Sequence, residues 1–392
     1  MAAFVYVLLY ALALCGVGRG RAGSGGVDKI QIDPSTRMYR GVSDGRVYVF
    51  HGLDTEDSSP PWYLRTLDQQ QIDLMKSWGL NMVRVGFQWH MVEPQAGVYN
   101  ETYIKSLADY ISLLNDSGIH VMLDMHQDCW SPLYCHSHGI PSEYAQPYNS
   151  SDYQPGGSKA YPEPVVKPQY GPNGEITNCA DVGKFVLGWS SCYITYSIGA
   201  AAQRLYDNDK GILDRFGEFW KLIAGRVQQF QNVLGYELIN EPWLGDVPLT
   251  LDELDPDINP DHWDLWFPKI ADTKNMARMY RVLHEYIREV DNDSIIFFEP
   301  STGGNFLDGW PVGFDEGPGG TAYNNRQALS YHIYCLVVDR KPITNFLQHL
   351  LEILSVEACD VLDDALYDVR RDDTNRLQLA GFLTNLETPV KV

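Results

Sequence analysis

Basic residues are scarce in this chain: Lys and Arg number 30 against 51 Asp and Glu, which leaves a formal net charge of -21. So acidic a surface repels polyanions and argues against nucleic-acid binding through phosphate neutralisation. A neutral or sugar-headed ligand fits better. The sequence also lacks any C-x-x-C pair and any two His at H-E-x-x-H spacing, so neither common zinc pattern is present. Beyond the N-terminus no apolar run is long enough to cross a bilayer. What remains is globular in composition: 44% hydrophobic, 12% aromatic and 21% charged residues exclude wholesale disorder, collagen-like repeats and coiled coil. At 392 residues, two or three domains or one large α/β barrel is expected.

The uncharged stretch AAFVYVLLYALALCGV, from Ala2 to Val17, is followed by small residues with Arg19 and Arg21 and reads as a secretory signal over residues 1–22. A buried N-terminal helix or a signal anchor is the alternative, because no positive side chain precedes the apolar run. N-x-S/T sequons at Asn100, Asn115, Asn149 and Asn292 agree with the secretory pathway, the chain being secreted or lysosomal. Cys15 would leave with the signal. The other six cysteines, Cys129, Cys135, Cys179, Cys192, Cys335 and Cys359, form an even set suited to disulfides. Fifteen pairings are open to six cysteines, and nearness in sequence favours Cys129–Cys135, Cys179–Cys192 and Cys335–Cys359.

Short apolar, β-branched runs alternate with amphipathic stretches, the pattern of β-α units around a parallel sheet. Strands are expected at 47–53, 81–87, 119–125, 233–239, 294–298, 328–334 and 379–384. Between them, helices are expected at 67–78, behind an Asn100 cap as far as Leu114, and over 212–230, 276–290 and 344–356. In the first helix Leu67, Leu74, Met75 and Trp78 supply the apolar stripe. From His126 to about Ser197 the periodicity gives way to a Tyr-, Pro-, Gly- and Ser-rich stretch holding four of the six cysteines. A connection this long is usually a lid or a subsite wall, and a disordered insert is the bland alternative. Seven strands without an eighth sit awkwardly with a closed eight-stranded barrel.

In a β/α barrel the reactive side chains lie at the C-terminal ends of the strands, and here those positions are loaded. Arg84 sits within the second strand; Asp124, His126, Gln127 and Asp128 end the third; Asn240 and Glu241 follow the fourth; Glu299 follows the fifth; His332 and Tyr334 mark the sixth. Any one of them could be a satisfied structural partner. Together, carboxyl groups beside His and aromatic residues match glycoside hydrolysis, in which one carboxylic acid protonates the leaving oxygen and a carboxylate attacks the anomeric carbon.

The motifs HG at His51, MVRVGFQW around Arg84, LDMHQDCWS around His126, LINEPW around Glu241, IIFFEP around Glu299, SYHIY around His332 and GFLT before Asn385 resemble glycoside hydrolase family five. Within it they resemble the endoglycoceramidase-like enzymes, which split glycan from ceramide; the likeness runs from Val47 to Thr384. The resemblance implies a (β/α)8 TIM barrel over residues 27–392, with a disulfide-bearing insertion at about 127–197. It makes Glu241 the general acid/base and Asn240 a partner of the hydroxyl beside the anomeric carbon. Arg84 would lie beneath the nucleophile, His332 and Tyr334 would line the reaction centre, and His126 and Asp128 would bind the first sugar.

One departure matters. Family members read roughly F-L-T-E-F-G at strand seven, where the Glu is the nucleophile, and this chain reads GFLTNLETPVKV, placing Asn385 there. An amide oxygen is a far weaker nucleophile than a carboxylate. Glu387 would share its face but lie about 7 Å further along the strand, whereas retaining pairs need carboxyl groups about 5 Å apart. The tail also stops before an eighth unit and the β-sandwich of such enzymes, so an incomplete barrel from a truncated product is expected.

Three activities follow as expectations: a retaining glycosidase of glycosphingolipids; a glucosylceramidase or steryl-glucosidase of the same family; or a glycolipid-binding pseudoenzyme. None implies a metal or organic cofactor. The partner is the glycoside itself, membrane contact comes only through a lipid substrate, and a monomer is expected.

Overall fold

The structure is a computed structural model that describes residues 27–56, 64–134, 138–146, 196–246, 268–302 and 312–332, with Gly171, Pro172, Thr177 and Tyr193 besides. Its centre is a parallel sheet of β4 (Gly52–Asp54), β5 (Met82–Phe87), β6 (His120–Met125), β7 (Val233–Glu237), β8 (Ile295–Phe298) and β9 (Gln327–Leu329). Each of these strands pairs with the next one in the sequence. Helices α1 (Gln69–Ser77), α2 (Glu101–Asp116), α3 (Tyr196–Tyr206), α4 (Ile212–Val227) and α5 (Ala277–Arg288) fall between them. Consecutive parallel strands with helical crossovers form the wall of a β/α barrel. The strand expected at 379–384 and the helix expected at 344–356 lie outside the described residues.

Period-two alternation along the strands builds the interior. Val83, Val85 and Phe87 of β5 and Val121, Leu123 and Met125 of β6 join the large core shared with the helices. Their neighbours, Met82, Met122, Ile295 and Phe297, turn the other way into a smaller core with Ile30 and Ile32. Those two isoleucines belong to β1 (Ile30–Ile32), which with β2 (Tyr39–Gly41) and β3 (Val47–Tyr48) forms an antiparallel sheet that floors the barrel. Burial of each such side chain contributes roughly 1.5–3 kcal/mol. One step further up each strand the same inward face changes from apolar to charged, at Arg84 after Met82, Asp124 after Met122 and Glu299 after Phe297.

The helices start where their caps direct. The Asp68 side chain accepts the Gln71 N–H while Gln71 accepts the Asp68 N–H, a reciprocal box that opens α1. Asn100 Oδ1 accepts from Tyr103 N at 3.1 Å and opens α2. The stripe on α1 differs from expectation: Ile72 and Met75 are buried, whereas Leu74 and Trp78 are exposed. Spacing alone allowed either face, and the cap fixed the rotation.

Other expectations also shift. The run at 47–53 is two strands in two sheets: Val47 pairs with Arg40, whereas Gly52 pairs with Met82. The Asn81 amide grips the bend between them, accepting from His51 N at 2.9 Å and donating to Val49 O at 2.8 Å. A Cβ at Gly52 would stand 2.5 Å from the Met82 carbonyl oxygen, so only glycine permits this approach. The fourth strand ends at Glu237, two residues short of Ile239, and the sixth, Gln327–Leu329, shares only Ala328 and Leu329 with the expected run. Within the stretch after His126, Trp130, Tyr134, Ile140 and Ala145 are fully buried, and helix α3 begins at its end. Much of the stretch between Gln146 and Tyr196 lies outside the described residues. Among the described residues no helix is long and apolar enough to cross a membrane.

Candidate active site

The charged layer closes on Arg84. Its Nε lies 2.6 Å from Glu237 Oε2, its Nη1 2.7 Å from Asp54 Oδ2 and its Nη2 3.1 Å from Asp124 Oδ2. Nη2 also donates to Asn240 Oδ1 at 3.0 Å, and Glu299 Oε1 stands 3.9 Å away. Register brings the set together: Asp54 of β4 is the partner of Arg84, and Asp124 of β6 is the partner of Glu237 of β7. Burial opposes the charge on Arg84, but Asp124, Glu237 and Asp54 outweigh it and raise its pKa further. For Asp54, burial pushes upward, yet Arg84 and His126 overcome it and hold its pKa below the usual carboxylate range.

Above this layer stands Glu241, buried, with its backbone at φ 41°, a left-handed conformation rare outside glycine. Such strain costs on the order of 1–3 kcal/mol and persists where neighbours over-determine it. They do so here. Gln127 Nε2 donates to Asn240 O at 2.7 Å and to Glu241 O at 2.9 Å, and Glu299 Oε2 accepts the Glu241 N–H at 3.1 Å. The Glu241 carboxyl meets His332 Nδ1 at 2.7 Å, and His332 Nε2 lies 3.4 Å from Glu299 Oε1. Burial lowers the His332 pKa, but Glu299 and the bond to Glu241 prevail and push it up to about 9. Burial, seconded by Glu237 and Glu241, drives the Glu299 carboxyl upward.

His126 and Asp128 form the other side of the cleft. His126 Nδ1 meets Asp124 Oδ2 at 2.5 Å, and its Nε2 faces Asp128 Oδ2 at 3.5 Å. Burial disfavours the His126 charge; Asp124 and Asp128 reverse that and hold its pKa well above the usual value. The Glu56 carboxyl is pushed up to about 7, mainly by burial. His138 stacks on His126, ring centroids 5.5 Å apart and planes 11° from parallel, and burial beside that charge pushes its pKa well down.

Arg84, His126, Asp128, Asn240, Glu241 and His332 are thus drawn to one mouth at the C-terminal ends of the strands. Tyr334 and Asn385 lie outside the described residues, as do most of the cysteines; Cys129 is disulfide-bonded. Asp54, Glu56, Glu237 and His138 escaped the sequence reading. Glu237 had a signal, an acidic residue inside VLGYELI at the inward period, and Asp54 had the same signal two residues after Gly52. His138 had none. A buried carboxyl beside a facing His, set over a bank of carboxylates around Arg84, can protonate a leaving oxygen and stabilise positive charge at carbon.

The model of the cellulase family, glycosyl hydrolase family 5, matches residues 43–349. Over 371 residues the chain is 32% identical to an endoglycoceramidase of Hydra vulgaris, covering 92% of this chain and 62% of the relative. Over 366 residues it is 32% identical to an endoglycoceramidase of Cyanea nozakii, covering 92% of this chain and 63% of the relative. It therefore spans less than two thirds of either relative. Among solved structures, endo-glycoceramidase II from Rhodococcus sp. with a five-membered iminocyclitol superposes at a TM-score of 0.57 with 22% identity, over 88% of this chain and 65% of that one. The same enzyme in complex with ganglioside GM3 superposes at 0.56. These superpositions identify the six strands of the parallel sheet as part of a (β/α)8 barrel, and the chain belongs to glycosyl hydrolase family 5.

Proposed function

We propose that the chain acts on glycosphingolipids as an O-glycosidase, separating glycan from ceramide, with Glu241 as the proton donor. The observation that carries this reading is the buried Glu241 carboxyl, joined to His332 at 2.7 Å at the rim of a barrel whose interior is lined by Arg84 and its carboxylates. The endoglycoceramidase names of the relatives support the substrate class. In the reaction the Glu241 proton passes to the departing ceramide oxygen as the bond to the anomeric carbon breaks; the resulting carboxylate then takes a proton from the incoming water. Asn240, held by Arg84 and Gln127, presents its amide beside Glu241, and His126 with Asp128 serves the sugar hydroxyls.

Asn385 favours a second reading, a glycolipid binder in which double displacement is lost for want of a nucleophilic carboxylate. Incubation of the chain with ganglioside GM3 in mixed micelles separates the two. Intact oligosaccharide and free ceramide support hydrolysis. Saturable binding without product, with turnover gained in an Asn385→Glu variant, supports the binder. Release of single sugars would instead favour an exo-acting glucosidase. The leader at 1–22, the sequons and the cysteines support passage through the secretory pathway, which intact-mass measurement of chain expressed in animal cells would test.

A further inference from the structure

The cleft wall beside Glu241 gathers four side chains that no step above needs together: Glu56, His126, Asp128 and His138. Their nearest ligand atoms all lie within 4.8 Å of one another. His138 Nε2 is 3.4 Å from Glu56 Oε1 and 3.5 Å from Asp128 Oδ2. His126 Nε2 is 3.5 Å from Asp128 Oδ2 and 3.9 Å from Glu56 Oε1. A tetrahedral ion with bonds of about 2.0–2.2 Å holds its ligands about 3.3–3.6 Å apart. Of the six separations among the four atoms, three fall within that range, a fourth is 3.9 Å, and the other two are no more than 4.8 Å.

Two further observations point to a ligand. His138 is 1% exposed, and neither of its ring nitrogens has a hydrogen-bond partner; Glu56 Oε1 is also buried without one. Leaving such groups unsatisfied costs about 1–3 kcal/mol each. His126, meanwhile, has Nδ1 committed to Asp124 Oδ2 at 2.5 Å, the carboxylate-to-imidazole contact that orients a metal-bound histidine with Nε2 forward. The opening lies on the acidic side, where Glu56 and Asp128 keep 20% and 18% of their side chains exposed.

We propose that Glu56, His126, Asp128 and His138 form a four-coordinate site for a divalent transition cation of the zinc class. Two carboxylates and two imidazoles leave a neutral site when the ion is bound, and the ion takes the place of the proton on His126 Nε2. His126 and Asp128 are also the residues assigned above to sugar hydroxyls, so ion and sugar would contend for the same atoms. The sequence search for zinc patterns could not find this set, because its ligands come from three separate strand ends and loops.

The test uses the full chain, free of any purification tag and stripped of metal, titrated with Zn2+ by calorimetry and with Co2+ by visible absorption. The expected result is one saturable site and the intense d–d bands of four-coordinate Co2+. Affinity should fall at least about a hundredfold in His138→Gln and at least about tenfold in Glu56→Ala, on the scale set by losses of even outer-shell partners. Near-ultraviolet circular dichroism checks that each variant is folded, and the partly exposed Glu56→Ala serves if His138→Gln is not. Absence of saturable binding at micromolar metal, a faint six-coordinate Co2+ spectrum, or equal affinity in parent and folded variant would overturn the proposal.

Discussion

Replacing Arg84 by Met removes the guanidinium at the centre of the charged layer while keeping much of its volume. Three carboxylates lie within 3.1 Å of the guanidinium, and Asp124 and Glu237 have no exposed side-chain surface. Breaking a buried ion pair on one side costs about 3–5 kcal/mol. Asp124, whose pKa burial already raises, could escape in part by taking up a proton. A loss of about 3–5 kcal/mol follows, a large share of the roughly 5–15 kcal/mol that holds a domain together. The sign of its pH dependence is fixed. Without Arg84 the folded-state pKa values rise above the unfolded ones, so the native state binds more protons. The penalty is then absent below about pH 4 and grows as pH rises through the raised values. Urea unfolding followed by circular dichroism at pH 5 and pH 8 reads both effects. Arg84→Lys should lie between, because an ammonium reaches fewer of these oxygens than the guanidinium fork. A Met variant within about 1 kcal/mol of the parent at pH 8, with the parent's pH slope, would refute the reasoning.

Gln127→Ala strips the donors from two buried carbonyls, at Asn240 and Glu241, and should cost about 2–4 kcal/mol by thermal unfolding; Gln127→Glu, which cannot donate, should be no better. On α1, Met75→Ala should cost about 2–4 kcal/mol and Leu74→Lys under about 0.5 kcal/mol, and the reverse order would mean the helix is rotated. The His332 pKa rises to about 9 from an ordinary value of 6.5. Its contribution to stability is therefore complete below about pH 6.5 and lost as pH climbs through 9. In His332→Asn, the slope of unfolding free energy against pH over that window should flatten.

Local patterns carried the barrel wall. Strands at Met82–Phe87 and His120–Met125 and the helix behind Asn100 follow from β-branched runs, a capping side chain and full apolar stripes. The floor did not show itself, because three two- and three-residue strands lack the length to display a period. The positions of strand-end polar residues were legible where a motif marked them, at His126, Asp128, Asn240, Glu241 and His332. Glu237 was hidden in apolar company and Asp54 among polar neighbours, and each stands out only once the register with Arg84 is known. Glu56 and His138 come from irregular backbone, and only folding brings them to His126.

Glycan release from ganglioside GM3 by Glu241→Gln, compared with its parent in both the Asn385 and the Asn385→Glu chains, tests the central claim most directly. General acid–base catalysis is worth about 10²–10⁴-fold, so the amide should slow release by that factor wherever the parent turns over, with binding retained. Equal rates in the Gln variant and its parent would show that Glu241 does not donate the proton.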